Sequence, residues 1–458
     1  MKMKCAETAQ TALILLQFLC PAAAQPGPGT ALWVYDTGQT IYSSPALGPD
    51  GTVYVGAGYS LYAITNHNST VSNKWVFATS GLQLVPTLVG PEGTIFSAAG
   101  KLYAVGLDGS EKWGFGAGAG IGSPAIALDG TAYFVGTYGN LFAVAPDGTQ
   151  KWALPIGTDI PRTSPSVGKN GIIYATSPNA NLLYAVSPTG TVIWQSPLEG
   201  AWDSPAIADD GTIYSVGGTG LSCFTPSGTN LWSFSMGGHL GSPVIGKDGT
   251  IYFTVVLSDF PLGYYQVLFA ITPAGTRRWQ FQPPNLGQRY MPGTAAIDSV
   301  GTIYFAGFNT LYAVSPAGNQ QWTFDAGGSS MDPSTYSYSS PAIGPDGTIY
   351  ATFGSRLYAI AGTNGPGDTP WPMYRQNARR TGKVERPALT RPQKRADANF
   401  EFQLYPQQLG LAYTVESSSN LCSWTTVTSF VASTLPVDVV DLTASNAAVR
   451  FYRAFSPP

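Results

Sequence analysis

The sequence predicts an all-β chain in which an eight-bladed β-propeller, closed by its N-terminal strand, precedes a small β-sandwich-like module. Three observations predict this fold. A unit of about 42 residues recurs eight times over residues 30–360, within the range of four-stranded propeller blades. The tryptophan that marks one strand of the unit stands before the first copy and is missing after the last. Near residue 399 the apolar pattern changes to the alternation of short strands.

The copy at residues 123–152 shows how one unit is expected to fold. Asp129-Gly130 and Pro146-Asp147-Gly148 are turn sequences, and β-branched, aromatic and aliphatic residues fill the segments between them. We expect a type I′ turn at Asp129-Gly130, because glycine adopts positive φ at no steric cost. The unit is therefore predicted to form four short antiparallel strands. Such a sheet must stack against copies of itself to bury both faces.

A turn glycine and a tryptophan recur along the repeats. Their order at the two ends of the ring predicts how the ring closes. The first-hairpin turn glycines are Gly51, Gly93, Gly130, Gly171, Gly211, Gly249, Gly301 and Gly347. The tryptophans, predicted to dock each blade on its neighbour, are Trp33, Trp75, Trp113, Trp152, Trp194, Trp232, Trp279 and Trp322. Trp33 precedes the first glycine, and no tryptophan strand directly follows residues 357–360. We expect the Trp33 strand to pair with residues 357–360, which would remove an exposed sheet edge.

The repeat also resembles a known family. The run Leu-Tyr-Ala-Val-x-Pro-x-Gly-x-x-x-Trp, as in residues 183–194, resembles the tryptophan-docking repeat of quinoprotein-type propellers, the PQQ-like repeat family. That family includes quinone-dependent dehydrogenases, a propeller lipoprotein of outer-membrane protein assembly and many secreted proteins. The resemblance implies the fold, and only the resemblance suggests PQQ and Ca²⁺ as cofactors. Because this chain lacks the adjacent cysteine pair of the dehydrogenases, and because fold does not give function, we expect no cofactor.

The N-terminus has the pattern of a secretory signal peptide. Lys2 and Lys4 precede a short apolar run at residues 11–19, and small residues follow up to Ala24. No stretch is long and apolar enough to cross a bilayer. We therefore expect export, without lipid, to the extracellular space, the periplasm or the cell surface. The predicted organisation is a signal peptide over 1–24, the propeller over 30–362, a Trp/Arg-rich tail and basic linker over 363–398, and the β module over 399–458.

The segments outside the ring carry patterns of their own. The sequence at residues 413–424 and the ending at 450–453 resemble a small β-sandwich module found at the C-termini of exported bacterial proteins. The basic linker is expected to be a solvated tether, with contact to an anionic surface polymer or lipid as the alternative. Cys223 takes the place of a small alanine, so we expect it to be buried; the alternative is a disulfide with Cys422.

No catalytic set is indicated by the polar residues. Most acids recur at equivalent turn positions, and there are only two histidines, His67 and His239. The candidates for a ligand site are positions that vary while their neighbours repeat, where the chain enters each innermost strand at one mouth of the channel. Aromatics beside Arg and Asp are typical of small-ligand sites. The predicted ligand-binding residues are Tyr42, Arg162, Trp202, Asp203, His239, Arg289, Tyr290 and Tyr338.

Two insertions, at residues 257–266 and 327–338, are predicted to wall one side of this mouth. The alternative is that mouth residues and insertions are ordinary loops, free to vary. We expect a monomeric, exported, non-enzymatic scaffold that binds protein or cell-surface glycan, and neither metal nor nucleic acid. The alternative function is a quinone-dependent oxidoreductase or a polysaccharide-active propeller enzyme.

Overall fold

A computed structural model describes most of the ring, the start of the tail and seven strands beyond it. The described residues are 26–67, 70–90, 93–117, 122–127, 129–158, 163–200, 204–218, 220–259, 263–284, 286–287, 292–327, 339–370, 372–373, 376–377, 388–389, 393–394, 400–405, 412–418, 425–431, 437–441 and 451–455. They form β-structure with one short 3-10 turn at Thr137–Gly139. Within these ranges, no helix has the length and apolar character needed to cross a membrane.

The ring consists of eight antiparallel sheets, which confirms the predicted eight-bladed propeller. Strand β1 (Ala31–Asp36) lies ahead of the first blade. Blades 1 to 4 are β2–β5 (Ala46–Leu47, Val53–Ala57, Ser60–His67, Thr70–Ala78), β6–β9 (Leu88–Val89, Ile95–Ala99, Lys101–Val105, Glu111–Phe115), β10–β13 (Ala125–Ile126, Ala132–Val135, Asn140–Val144, Gln150–Pro155) and β14–β17 (Ser166–Val167, Ile173–Ser177, Leu182–Val186, Val192–Pro197).

The second half of the ring follows the same order, with one enlarged blade. Blade 5 is β18–β21 (Ala206–Ile207, Ile213–Gly217, Gly220–Phe224, Asn230–Ser235). Blade 6 has six strands, β22–β27 (His239–Leu240, Val244–Ile245, Ile251–Asp259, Gly263–Ile271, Arg277–Phe281, Leu286–Gly287). Blades 7 and 8 are β28–β31 (Ala296–Ile297, Ile303–Gly307, Thr310–Val314, Gln320–Asp325) and β32–β34 (Ala342–Ile343, Ile349–Phe353, Arg356–Ile360).

Strand β1 completes blade 8, which confirms the predicted closure. It pairs antiparallel with β34, in a register that places Trp33 opposite Ala359 and Asp36 opposite Arg356. Arg356 Nε lies 3.2 Å from the Asp36 carboxylate at the end of this ladder. The outer edge of β34 is thereby covered by a strand from the other end of the ring, so the propeller has no unfinished blade.

Blades 1 to 6 each dock on the next blade through their tryptophan. The indole Nε1 of Trp113 donates to Pro146 O (2.7 Å), and that of Trp152 donates to Pro188 O (2.8 Å), in the third turn of the following blade. The glycine of that turn lies on the indole ring: a Cβ built on Gly148 would meet Trp113 at 2.8 Å. Positive φ and close approach both require glycine here. Second-strand aromatics, such as Tyr133 against Trp152 (5.7 Å between ring centroids), fill the other side.

The first-hairpin turns differ from the prediction. Gly51 N donates to Gly48 O (3.1 Å) and Gly48 N donates to Thr52 O (2.8 Å), and Gly51 has φ +79° while Asp50 does not have positive φ. This is a three-residue loop, in which an ordinary β-turn is followed by a glycine bulge, and not the two-residue type I′ turn. The aspartate is selected because its carboxylate accepts the Thr52 amide (3.1 Å).

The chain after blade 8 returns to the ring and then forms two further sheets. The tail lies along the free edge of β28, where Gly367 N donates to Ile297 O (2.8 Å) and Ile297 N donates to Pro372 O (2.7 Å). Met373 is fully buried against blades 7 and 8. The last seven strands are β35–β41 (Ala388–Leu389, Gln393–Lys394, Phe400–Tyr405, Ala412–Ser418, Thr425–Val431, Val437–Asp441, Phe451–Phe455), with β37 central in one sheet and β38 in the other.

Candidate functional site: the mouth face of the ring

Strand alternation gives the ring two unlike faces. Each blade runs up, down, up and down from its innermost strand, so its first and third turns share one face, here called the turn face. The turns between second and third strands share the opposite face with the connections between blades. This second surface, the mouth face, carries Tyr42 and His239, the two predicted ligand-binding residues that the structure describes.

Most of the predicted ligand-binding residues lie outside the described residues: Arg162, Trp202, Asp203, Arg289, Tyr290 and Tyr338. The other two are placed on separate blades. Tyr42, in the connection that enters blade 1, is 38% exposed. His239 is half-buried in β22, where it pairs with Val256 of the enlarged blade 6. The described residues thus bring neither of these two side chains to the other, and the mouth site as a whole stays a prediction.

The first insertion builds the enlarged blade. Strands β24 and β25 form a hairpin with nine paired positions, from Ile251↔Ile271 to Asp259↔Gly263. Its far end extends on the mouth face, and β22 and β27 flank it there. Val256 and Tyr264 of the hairpin pack on the buried Phe308 of blade 7. Of the second insertion, only Gly327 lies within the described residues.

Within the described residues, the inner rim of the ring is a joint between neighbouring blades. The amides of Ser340, Thr294 and Ser204 each donate to a serine hydroxyl of the next blade, at 2.8 to 3.1 Å. These residues and the two-residue innermost strands that follow them are buried. A ligand approaching the described part of the ring would therefore meet the loops of the mouth face before it met the innermost strands.

Exposed tyrosines are the most distinctive feature of the mouth face. Among the described residues, the large apolar or aromatic side chains that are exposed include three tyrosines, Tyr42, Tyr59 (59%) and Tyr138 (74%), and all three lie on this face. Leu82, 44% exposed, lies beside Tyr59, because Gln83 N donates to Gly58 O (2.9 Å). Tyr59 and Leu82 thus lie close together at one turn of blade 1.

Tyr59 and Tyr138 are presented from fixed backbone. The Thr79 amide and hydroxyl both donate to Tyr59 O, at 2.8 and 2.9 Å. Tyr138 has φ 67° and ψ 17°, which a side chain with a Cβ rarely adopts. It is kept there by Thr137 N bonding to Ala117 O (2.9 Å) and Ile156 N bonding to Gly139 O (2.8 Å). An aromatic side chain held in strained backbone and facing solvent is a feature of functional surfaces.

The one cysteine among the described residues is a buried side chain of the ring. Cys223 is buried opposite Trp232 in blade 5, as the sequence predicts. It is a free thiol, which contradicts the alternative of a disulfide with Cys422. Burial, with a smaller contribution from Asp210, raises the pKa of its thiol to about 11, so it stays protonated at neutral pH. No group of three His, Cys, Asp or Glu side chains suited to a metal occurs in the described ranges.

The turn-face acids mostly serve the turns, with one exception that the sequence reasoning missed. The hydroxyl and amide of Thr149 hold the pKa of Asp147 below its ordinary value. Blade 7 alone has an apolar residue, Val300, before its turn glycine, where the other blades have Asp, Glu or Asn. Its acid, Asp298, lies two residues earlier. The buried Asp298 carboxylate accepts bonds from two backbone amides, from the Tyr304 hydroxyl (3.0 Å) and from Asn364 of the tail (3.3 Å). The sequence itself shows that this acid is displaced from the usual turn position, and this could have singled it out.

Comparisons with known proteins find a family model that matches part of the ring and solved structures that resemble the chain. The family model described as outer membrane protein assembly factor BamB matches residues 178–381. The solved structure of BamB from Moraxella catarrhalis covers 72% of this chain and 96% of its own, with a TM-score of 0.54 and 14% identity, which shows the shared fold. Virginiamycin B lyase from Staphylococcus aureus covers 60% and 94%, with a TM-score of 0.46 and 14% identity. A search of curated protein sequences found no significant match.

Proposed function

We propose that this chain, whose ring is a PQQ-like β-propeller, is an exported, non-enzymatic scaffold that binds a protein partner of the cell envelope at its mouth face. The observation that carries the proposal is the set of exposed tyrosines on that face. Tyrosine supplies a large contact area at low conformational cost, and it is enriched among the residues that dominate protein interfaces. The similar BamB is described as an outer membrane protein assembly factor, which supports a protein partner over a glycan.

The rigid backbone at the exposed tyrosines is the second observation that supports the proposal. Because the backbones of Tyr59 and Tyr138 are tied to neighbouring loops, binding would order little that is not already ordered. Pre-organisation of this kind lowers the entropic cost of association. A monomeric ring could thus bind through residues spread over blades 1 and 3 without rearranging them.

The test is site-specific photo-crosslinking in the native host, with the crosslinking residue placed at Tyr59 or Tyr138. We expect a discrete protein adduct from both positions. Leu231, on the outer strand of blade 5 and 57% exposed, is the matched control, because it is as accessible as Tyr59 but lies on the outer rim. Adducts from Leu231 with none from the two tyrosines would place the binding surface elsewhere and contradict the proposal.

A simple binding assay distinguishes a quinone-dependent enzyme from a non-enzymatic scaffold. Adding PQQ with Ca²⁺ to the purified protein should leave its melting temperature and visible absorbance unchanged. A saturable rise in melting temperature would show a cofactor site and would favour a quinone-dependent enzyme.

A further inference from the structure

The chain contains two Asn-Gly pairs, Asn170-Gly171 and Asn364-Gly365. In such a pair the backbone nitrogen of the glycine can attack the side-chain carbonyl of the asparagine, because glycine has no Cβ to hinder the approach. Asn170 lies in the first turn of blade 4, and Asn364 lies where the tail leaves blade 8. The two pairs share one chemistry but differ in what surrounds them.

Asn364 links the tail to the buried acid of blade 7. Its side-chain nitrogen donates to the Asp298 carboxylate (3.3 Å) and to the Thr363 hydroxyl (2.8 Å). Asp298 is 1% exposed, so its carboxylate depends on donors from the chain in place of water. The amide of Asn364 is therefore the group through which the tail helps to satisfy a buried charge of the ring.

Packing requires the glycine that follows Asn364. A Cβ built on Gly365 would stand 2.9 Å from Pro345 O, so a side chain there would force the backbone to shift. The carbonyl of Gly365 also accepts the Ser299 amide (2.9 Å). One contact thus selects asparagine for its hydrogen bond and glycine for its fit, and together they form a chemically labile pair.

We propose that Asn364 is a site of spontaneous deamidation and that this modification releases the tail from blade 7. The Gly365 nitrogen attacks Asn364 Cγ, and the side-chain nitrogen leaves as ammonia together with the Gly365 proton. Water then opens the cyclic imide to aspartate or isoaspartate, and it is the sole co-reactant. Asn364 is half-buried, so water reaches it. The product places a second carboxylate beside that of Asp298, where a donor stood before, and the two like charges repel.

The Asn170 pair is the matched control within the same chain. The side-chain oxygen of Asn170 accepts the Ile172 amide (3.2 Å), and aspartate keeps that oxygen. Blade 3 has Asp129 at the equivalent position, where its carboxylate accepts the Thr131 amide (3.0 Å). Deamidation should therefore leave the turn of blade 4 intact, although the same reaction in the tail removes a donor.

Peptide mass spectrometry tests the modification. The purified full chain is incubated for weeks at mildly alkaline pH, and the peptides that carry Asn170 and Asn364 should each gain about 1 Da. Asn364→Gln should show no gain at residue 364, because glutamine would have to form a less favourable six-membered imide. Conversion of Asn170 without conversion of Asn364 would overturn the proposal.

Hydrogen exchange of the full chain tests the consequence. Asn364→Asp, which mimics the product, should speed exchange of the Ser299 and Gly367 amides at least about tenfold at neutral pH, because both amides bond across the contact between tail and blade 7. Asn170→Asp should leave these two amides unchanged. Melting temperatures show whether each variant is folded. Exchange in Asn364→Asp equal to that of the parent would contradict release of the tail.

A reciprocal variant separates charge repulsion from a general loss of fit. In Asp298→Asn combined with Asn364→Asp, the oxygen at residue 298 still accepts the Val300 and Thr302 amides, which both bond to Oδ1. Its new nitrogen donates to the carboxylate at residue 364, so exchange should return to within about threefold of the parent. Exchange as fast as in Asn364→Asp alone would rule out repulsion as the cause. Crosslinking from Tyr59 and Tyr138 tests a different face, so either proposal can fail without the other.

Discussion

At the scale of single residues, three residues of the mouth face have a left-handed backbone, for different reasons. Asn181, Tyr138 and Phe308 have positive φ in turns of the mouth face, where other blades use glycine. Asn181 has a local reason, because its side chain accepts the Gly200 amide (3.0 Å). Phe308 is buried against the blade 6 hairpin. Tyr138 is exposed and has neither reason, and its left-handed backbone supports the proposal that it acts on the surface.

Tyr138→Gly is expected to separate binding from stability. Removing the side chain relieves the left-handed strain but adds glycine's entropic cost, so the free energy of unfolding should change by less than about 1 kcal/mol. The adduct obtained from a crosslinker at Tyr59 should fall severalfold. The control, Asn181→Gly, should lose about 1 kcal/mol by urea unfolding, because it removes a hydrogen bond. An adduct yield unaffected by Tyr138→Gly would remove this residue from the interface.

The sequence predicts where the mouth loops lie better than it predicts which of their side chains bind a ligand. The mouth positions were found because they vary, but variation alone cannot distinguish a ligand group from an unconstrained loop. Tyr59 and Tyr138 escaped because they lie in the turns between second and third strands and not at the entry to the first. Asp298 could have been found, since its displacement from the turn position is visible in the repeat.

At the scale of elements, the contact between a turn glycine and a tryptophan is the unit that joins blades. It repeats at Gly109, Gly148, Gly190, Gly228, Gly275 and Gly318, each on the tryptophan of the preceding blade. Gly29, just before β1, takes the same place on Trp322. At the seam of blades 8 and 1 the hairpin is longer, and Tyr35 lies against Tyr62 (6.4 Å between centroids).

Gly148→Ala is expected to weaken this joint. The new Cβ would need φ near +89° and would stand 2.8 Å from Trp113, so the free energy of unfolding should fall by about 2–4 kcal/mol. Gly116→Ala is the matched control, because a Cβ there meets nothing within 4 Å and should be neutral. Urea unfolding followed by tryptophan fluorescence compares them. Equal midpoints for the two variants would show that the joint does not depend on the glycine.

Elements were predicted well because their signals are local and repeated. Strand order, blade number and the phase of Trp33 follow from turn spacing, and the structure reproduces them. The turn type was wrong because Asp-Gly is compatible with either loop length, and the pairing of the flanking strands decides between them. The course of the tail along β28 depends on contacts distant in sequence, so repeat spacing does not reveal it.

At the scale of the whole molecule, the tyrosines in the second strands of seven blades should make the free energy of unfolding fall at alkaline pH. Burial, then a nearby aspartate, raises the pKa values of Tyr54, Tyr133 and Tyr350 to about 12 each. Burial also raises the pKa values of Tyr174, Tyr214, Tyr252 and Tyr304. The unfolded value is about 10, so the stabilisation is complete below pH 10 and is lost as the pH rises from 10 to 12.

The triple variant Tyr54→Phe, Tyr133→Phe, Tyr350→Phe is expected to flatten this loss. Blade 2 already has Phe96 at the same position, so the scaffold accepts the change, and the Tyr54 hydroxyl has no partner to lose. Urea midpoints measured between pH 8 and pH 11 should fall less steeply in the variant than in the parent. Tyr304→Phe is the contrast, since it removes a bond to Asp298 and should already destabilise the ring at pH 7. Parallel pH curves for parent and triple variant would contradict this account.

The pairing of Trp33 with Ala359 also constrains how the molecule is made. Blade 8 is assembled from the first and last strands of the ring, so during synthesis its N-terminal strand must wait until every other blade has emerged. Contacts between residues so distant in sequence form late and slowly, because a long loop must be closed first. In that interval the growing ring exposes an unpaired edge, and this is the stage at which a chaperone would be needed.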